Sequence, residues 1–266
     1  MIRIKRLYAK GEIMVKRLVA VLLVMIVLLL ETQAQAPGKA QIAFHSTRNK
    51  NTDIYIMDSD QSTSDGSPAW SPGGSRIVFH GLDMAARAYN IYVVKVDGGD
   101  VQKLTGFKAP SLLPFHKPPM NFTGGINPAW SPNGNQIAFT KLSGPDNAHF
   151  GIYVMDTNGD NLNLLTSRPY SDHSPSWSPE GKQIAFHSTR NKNTDIYIMD
   201  ADGQNLRRLT NHPDVDRDPA WSPDGRQIVF DSNRDGQGRV NHHGIYVMDA
   251  NGKGGLADQW LRSGVV

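Results

Sequence analysis

The sequence predicts an all-β chain, a β-propeller of four-stranded antiparallel blades with about five blades present and the first and last incomplete. Three observations predict it. Pro-Ala-Trp-Ser-Pro stands at 68–72, 128–132 and 219–223, with Pro-Ser-Trp-Ser-Pro at 175–179, so Trp70, Trp130, Trp177 and Trp221 recur at intervals of 60, 47 and 44 residues. After each comes a glycine turn and an apolar run (Arg76 to Phe79, Gln136 to Phe139, Gln183 to Phe186, Gln227 to Phe230), then a second run (Ile91 to Val94, Ile152 to Met155, Ile196 to Met199, Ile245 to Met248). The runs are short, β-branched and aromatic, and Gly, Pro, Asn and Asp bound them, which is strand chemistry. Four short strands in roughly 44 residues is the period of a propeller blade and leaves no room for helices.

Within one repeat, strand A surrounds the Trp, B is the Phe-ended run, C is the Ile-Tyr run and D follows, clearest at Asn205 to Leu209. Between A and B stands Ser222-Pro-Asp-Gly225, with Pro second and Gly fourth, as a type I turn requires. Between C and D stands Asp202-Gly203 or Asn158-Gly159, a tight hairpin signal. Antiparallel succession puts these short turns on one face and the B-to-C and D-to-A loops on the other.

The second face carries the variation. Its B-to-C loops run from His187–Thr194 to the longer Asp231–His243, and one D-to-A loop, from Gly106 to Asn127, holds Pro110, Pro114, Pro118 and Pro119. Binding residues concentrate on loops held by a rigid scaffold. The candidate binding residues are therefore Arg48, Asp53, His116, His149, Asp172, His173, Arg190, Asp195, His212, Asp216, Asp218, Arg234, His242 and His243. Arg48 and Arg190 each precede an aspartate, Asp53 and Asp195, by five residues; they hold an anionic ligand or pair with that carboxylate, and the internal pair is expected. The four Trp are expected to pack between blades rather than stack on carbohydrate.

An additional copy lies at Gln41 to Asp58 without its Trp element, and it reads residue for residue like Gln183 to Asp200, as a recent duplication leaves it. From Asp58 the chain reaches Pro68 with no room for strand D.

The unit Trp177-Ser178-Pro179, Gly181, Ile184 to Phe186, Ser188, Arg190, Ile196-Tyr197, Met199-Asp200, Asp202-Gly203, Leu206, Leu209-Thr210 resembles the WD-like repeat of the TolB family. The likeness covers about 41–252. It implies a six-bladed type of propeller and, from the Tol-Pal envelope system, a periplasmic role with a protein partner. The family's separate α/β domain before the propeller has no space between Ala34 and Gln41. The blades fall near 41–67, 68–127, 128–174, 175–218 and 219–252, after a 35–40 linker, and 253–266 leaves the repeat. Such an arc has open blade edges, at which self-association is expected; a fragment of a larger propeller protein reads the same way.

The formal charge of +3 sits in the first 34 residues, where six Lys/Arg face Glu12 and Glu31; the remainder holds 22 basic and 23 acidic residues. No basic stripe for nucleic acid survives. Lys16-Arg17, thirteen apolar residues from Leu18 to Leu30 and the small, polar run to Ala36 read as a secretory signal cleaved after Ala34, with Met14 an alternative start. Thirteen residues are short of the ~20 a membrane helix needs. The mature chain is thus expected to be periplasmic or secreted, without a stable membrane span. It contains no cysteine, so neither disulfides nor a lipidated N-terminus are available.

No Gly-x-Ser-x-Gly elbow, His-Glu-x-x-His pair or phosphate loop occurs. Asp172, His173, Asp214, Asp216, Asp218, His242 and His243 share the variable face, but Asp before a strand usually caps a turn, so no metal and no cofactor are expected. The expected function is a non-catalytic, protein-binding or scaffolding propeller of the envelope; the alternative is a sensory or accessory module for a separate peptidase or kinase.

Overall fold

The repeated sequence gives repeated strands. In the computed structural model the described residues are 43–46, 53–56, 65–83, 85–97, 101–108, 123–143, 149–166, 169–234 and 244–252. The leader, the linker, the proline-rich part of the insertion, the C-terminal tail, and Arg48, His116, His242 and His243 lie outside them.

The Trp-less copy gives β1 (Ala43–Ser46) and β2 (Asp53–Ile56). The next repeat gives β3 (Asp65–Trp70), β4 (Arg76–Asp83), β5 (Ala88–Lys95) and β6 (Gln102–Lys103), and the third β7 (Thr123–Trp130), β8 (Gln136–Ser143), β9 (His149–Asp156) and β10 (Asn163–Leu164). The fourth gives β11 (Asp172–Trp177), β12 (Gln183–Ser188), β13 (Asp195–Asp200) and β14 (Arg207–Arg208), and the fifth β15 (Asp216–Trp221), β16 (Gln227–Ser232) and β17 (Gly244–Asp249). A 3-10 turn at Arg190–Lys192 is the one helical element described. Among the described residues no helix is long and apolar enough to cross a membrane.

Strand A starts ahead of the proline that marks it in sequence. Ser67, Asn127, Ser174 and Asp218, the residue before that proline in each repeat, all hold positive φ near 50°. A register shift follows in β3, β7 and β15, so each is a β-bulge that re-aims one polar side chain. Strand D is shorter than the sequence suggests, two residues in each of the three repeats that show it.

The same side chains close each blade. The Trp-Ser-Pro serine accepts the backbone N–H five residues on: Ser71 from Arg76, Ser131 from Gln136, Ser178 from Gln183 and Ser222 from Gln227, at 2.9–3.0 Å. The turn itself is closed by Gly225 N–H on the Ser222 carbonyl at 2.9 Å, with Gly225 at φ +70°. At the other end the threonine after strand D accepts the N–H of the first isoleucine of strand C: Thr105 from Ile91, Thr166 from Ile152, Thr210 from Ile196, at 2.9–3.0 Å. These side chains satisfy donors that the short D strand leaves over.

The protein divides into two compact units, the first running to His173 and the second from Ser174. In the first, β1 and β2 form a hairpin, and an eight-stranded sheet runs β10-β9-β8-β7-β5-β4-β3 with β6 on β5. Its core buries Val78, Ile91, Val93, Ile137, Phe139 and Met155 around Trp130. The sheet is continuous because β5 and β7 pair in parallel at Ala88↔Thr123 and Tyr89↔Gly124. That approach requires glycine. Gly124 holds φ +118°, and a Cβ there would lie 1.9 Å from the Tyr89 carbonyl oxygen. Gly124→Ala is expected to cost about 1–3 kcal/mol from backbone strain alone, read as a lower urea midpoint; an unchanged midpoint would refute the close pairing.

In the second unit β11-β12-β13-β14 and β15-β16-β17 form separate sheets. Ala185, Ile196 and Ile198 of one and Trp221, Ile228, Phe230, Tyr246 and Met248 of the other share one buried cluster. β12 and β13 repeat the register of β1 and β2, since Phe186↔Tyr197 and Ser188↔Asp195 match Phe44↔Tyr55 and Ser46↔Asp53. The duplicated segment thus folds into the same hairpin twice.

Candidate functional site

The charged residues of the second unit gather where B-to-C loops, D strands and D-to-A loops meet. Asp216 opens β15 and is fully buried. Arg234, just past β16, places one terminal nitrogen 2.7 and 2.8 Å from its two carboxylate oxygens. The Arg234 Nε donates to Ser232 Oγ at 3.0 Å, and its guanidinium lies over Phe230 and Tyr246 at 5.3 and 4.8 Å. The Phe and Tyr rings face each other across the paired strands, 5.8 Å apart. They give the cation a π surface where water is excluded.

The Ser-x-Arg motif is therefore a clip. In the fourth repeat Arg190 Nε donates to Ser188 Oγ at 2.9 Å, and its guanidinium lies over Phe186 and Tyr197 at 5.7 and 5.6 Å. The third repeat has no such arginine, and Lys141 of β8 puts its ammonium over Tyr153 at 4.8 Å. Burial lowers the Lys141 pKa.

Here the structure corrects the sequence. Asp195, expected to pair with Arg190, is met by Arg208 of β14 at 2.7 Å. Arg190 turns back onto Ser188 and the ring pair, and Asn191 and Lys192 take positive φ, which redirects the chain before Asp195. The arginine on Asp195 thus comes from thirteen residues further along the sequence. Sequence reasoning defines strand D by its leucines and so misses Arg208, which no local signal marks.

Asp195, Arg208, Asp216 and Arg234 thus form a two-carboxylate, two-guanidinium cluster. Burial raises the Asp195 pKa against the opposing pull of Arg208, with Asp216 adding to the rise and Arg234 opposing it. A carboxyl whose folded pKa exceeds its unfolded value binds its proton more tightly in the native state, so its contribution to stability grows as pH falls through the folded value. Stability of the natural protein relative to Asp195→Asn is expected to rise as pH falls from neutrality toward the ordinary carboxylate pKa. Urea midpoints across that window check this, and a flat difference would contradict it.

A second feature lies along strands A. Ser174 Oγ donates to Asp218 Oδ1 at 2.7 Å, and the Asp218 N–H donates to His187 Nδ1 at 3.2 Å. The first unit repeats this with Ser67 Oγ on Asn127 Oδ1 at 3.0 Å and Asn127 N–H on His80 Nδ1 at 3.3 Å. A serine, a histidine and an aspartate meet here, but in the wrong order for nucleophilic attack. The serine proton goes to the carboxylate and the histidine Nδ1 accepts, whereas an activated serine gives its proton to the imidazole.

The remaining candidates scatter. His149 opens β9, half-buried; His173 packs on Phe150 with ring centroids 4.6 Å apart, and Asp172 is buried at the start of β11. His212 sits in the D-to-A loop with Nδ1 3.3 Å from Asp214. Asp53 opens β2. Among the described residues no three His, Asp or Glu side chains gather as a metal set. Trp130, Trp177 and Trp221 are buried and Trp70 packs against a buried cluster. The indole nitrogens of all four are buried without a hydrogen-bond partner.

The fold is similar to that of known proteins. The family model of the TolB beta propeller domain matches residues 123–258, about half of the sequence. Curated proteins yield no match. Among solved structures, TolB from Acinetobacter baumannii is 21% identical with a TM-score of 0.58, covering 79% of this chain and 50% of that one. The present protein therefore spans half the length of that one. A TolB-type protein from Agrobacterium tumefaciens is 22% identical with a TM-score of 0.60, covering 82% of this chain and 79% of its own. An oligogalacturonate lyase from Vibrio parahaemolyticus, 12% identical with a TM-score of 0.52, covers 79% of this chain and 60% of its own and shares the fold alone. Matched over residues 123–258, in which the repeated strands lie, the protein belongs to the TolB beta propeller domain family.

Proposed function

We propose that the protein is a non-catalytic propeller of the cell envelope, exported by its leader, that binds a protein partner through its face of long loops. One observation carries this reading: Arg190, Arg208, Asp216 and Arg234, the loop-face side chains best suited to chemistry, are engaged in stacking and ion pairs that hold the blades. The serine and aspartate of strands A and the histidine of strand B are ordered for structure rather than for attack. What the loop face presents outward is polar and mixed in charge, including Arg217, Asp218, Asn211 and Lys192. Such a face suits recognition of a folded surface.

The test uses the full mature protein and purified peptidoglycan-associated lipoprotein in a biolayer titration. Saturable binding that weakens about tenfold when Arg217→Glu reverses a loop-face charge is the expected result. Absence of binding by the natural protein would remove the Tol-like role, and binding unaffected by loop-face reversals would move the partner to the opposite face.

A further inference from the structure

We infer that the second unit holds a small carboxylate-binding pocket built on Arg234, a reading that rests on the protein-binding function and names what the partner inserts. A pocket of about 130 Å³ opens between the end of strand D of the fourth repeat and strand C of the fifth. Leu209 and Met248 supply apolar wall, and Thr210, Asn211, His212 and Arg234 supply polar groups. One water needs roughly 10–15 Å³ by this kind of measure, so the space exceeds a single solvent molecule several-fold.

The second observation is an orphan donor. The Arg234 side chain is 5% exposed. Its Nε is used by Ser232 and one terminal nitrogen by Asp216, but the other terminal nitrogen is buried with no hydrogen-bond partner. An unmet buried donor on a cation is costly, and the guanidinium lies against the rings of Phe230 and Tyr246. Of the two Ser-x-Arg arginines described, Arg234 lines the pocket and carries the orphan nitrogen.

The chemistry selects the ligand. A planar guanidinium with one unmet terminal nitrogen favours a carboxylate, whose hydrogen bonds to it are charge-assisted. Around it the carboxylates of Asp195 and Asp216 meet Arg208 and Arg234, and Asp216 takes one terminal nitrogen of Arg234 and leaves the other unmet. The pocket accepts a carboxylate on a short apolar stem, either an acidic side chain or the free C-terminus of a polypeptide. Both sources present the same group.

The experiment titrates the ¹⁵N-labelled mature protein with three peptides: acetyl-Ala-Ala-Ala with a free carboxylate, acetyl-Ala-Glu-Ala-amide, and acetyl-Ala-Ala-Ala-amide. One or both carboxylate peptides are expected to shift the amides of Thr210, Asn211 and His212 saturably, with affinity on the order of millimolar for so small a ligand, and the neutral peptide is not. Which carboxylate peptide binds identifies the source. Arg234→Lys keeps a cation over the rings but loses the second terminal nitrogen, and should weaken binding about tenfold or more. Asn211→Ala on the exposed rim, which leaves the clip intact, should weaken it less. Equal shifts from the neutral peptide, shifts elsewhere in the protein, or undiminished binding by a folded Arg234→Lys would overturn the pocket. The lipoprotein titration separates the two readings. Full lipoprotein affinity in the lysine variant sinks the pocket alone, and carboxylate binding by a protein that ignores the lipoprotein sinks the Tol-like role alone.

Discussion

Trp221→Ala is expected to lower the stability of the second unit by about 3–5 kcal/mol, the cost of emptying a buried indole site. Trp221 is 7% exposed and shares a cluster with Ala185, Ile196 and Ile198 of the preceding repeat, so the cavity would open between two sheets that no strand pairing joins. Trp221→Phe isolates the reason. Its indole nitrogen has no partner, so the aromatic replacement loses area but also removes a buried orphan donor. The two effects offset, and a loss of about 1 kcal/mol or less is expected. Urea unfolding, with midpoint and slope both measured, checks the pair. If alanine costs no more than phenylalanine, the tryptophan does not pack between the sheets and a ligand-stacking role returns.

Asp216→Ala should be about as damaging, at about 3–5 kcal/mol, because it strands the buried Arg234 guanidinium without its carboxylate. The ion pair itself need not be stabilising. Removing both charges from solvent is expensive, so Asp216→Leu combined with Arg234→Met is expected to recover most of the loss, the rings of Phe230 and Tyr246 then packing on an apolar side chain. A double variant as unstable as the single one would mean that the pair fixes the loop geometry and not only its own burial. Recovery would show that the charges are kept for something other than stability, and Arg234 is also the cation that lines the pocket.

Much of the fold is legible residue by residue. The Trp-Ser-Pro element gives strand A and its turn because serine, proline and glycine each have one conformational use there, and the Phe and Tyr of strands B and C give a pair that stacks in four repeats, at 5.6–6.0 Å. The site is less legible. Asp216 and Arg234 stand out separately as loop-face residues, yet they are 18 positions apart and meet only because strand A lies beside strand B. Arg208 escapes sequence reasoning because nothing local distinguishes a D-strand arginine that turns inward from one that faces solvent. Ser67, Asn127 and Ser174 read in sequence only as residues before proline, and Asp218 only as a loop-face carboxylate. Their shared positive φ aims them at one another in pairs.

By itself the sequence determined the strands, their order within a repeat and the kind of turn that joins them, because periodicity and turn chemistry act over a few residues. Only the tertiary structure decided the partners of the charges, the parallel bridge at Gly124 and the pocket at Arg234. Those depend on which strands come to lie side by side, and burial there, in a low dielectric, turns an ordinary Arg or Asp into a group that must be paired.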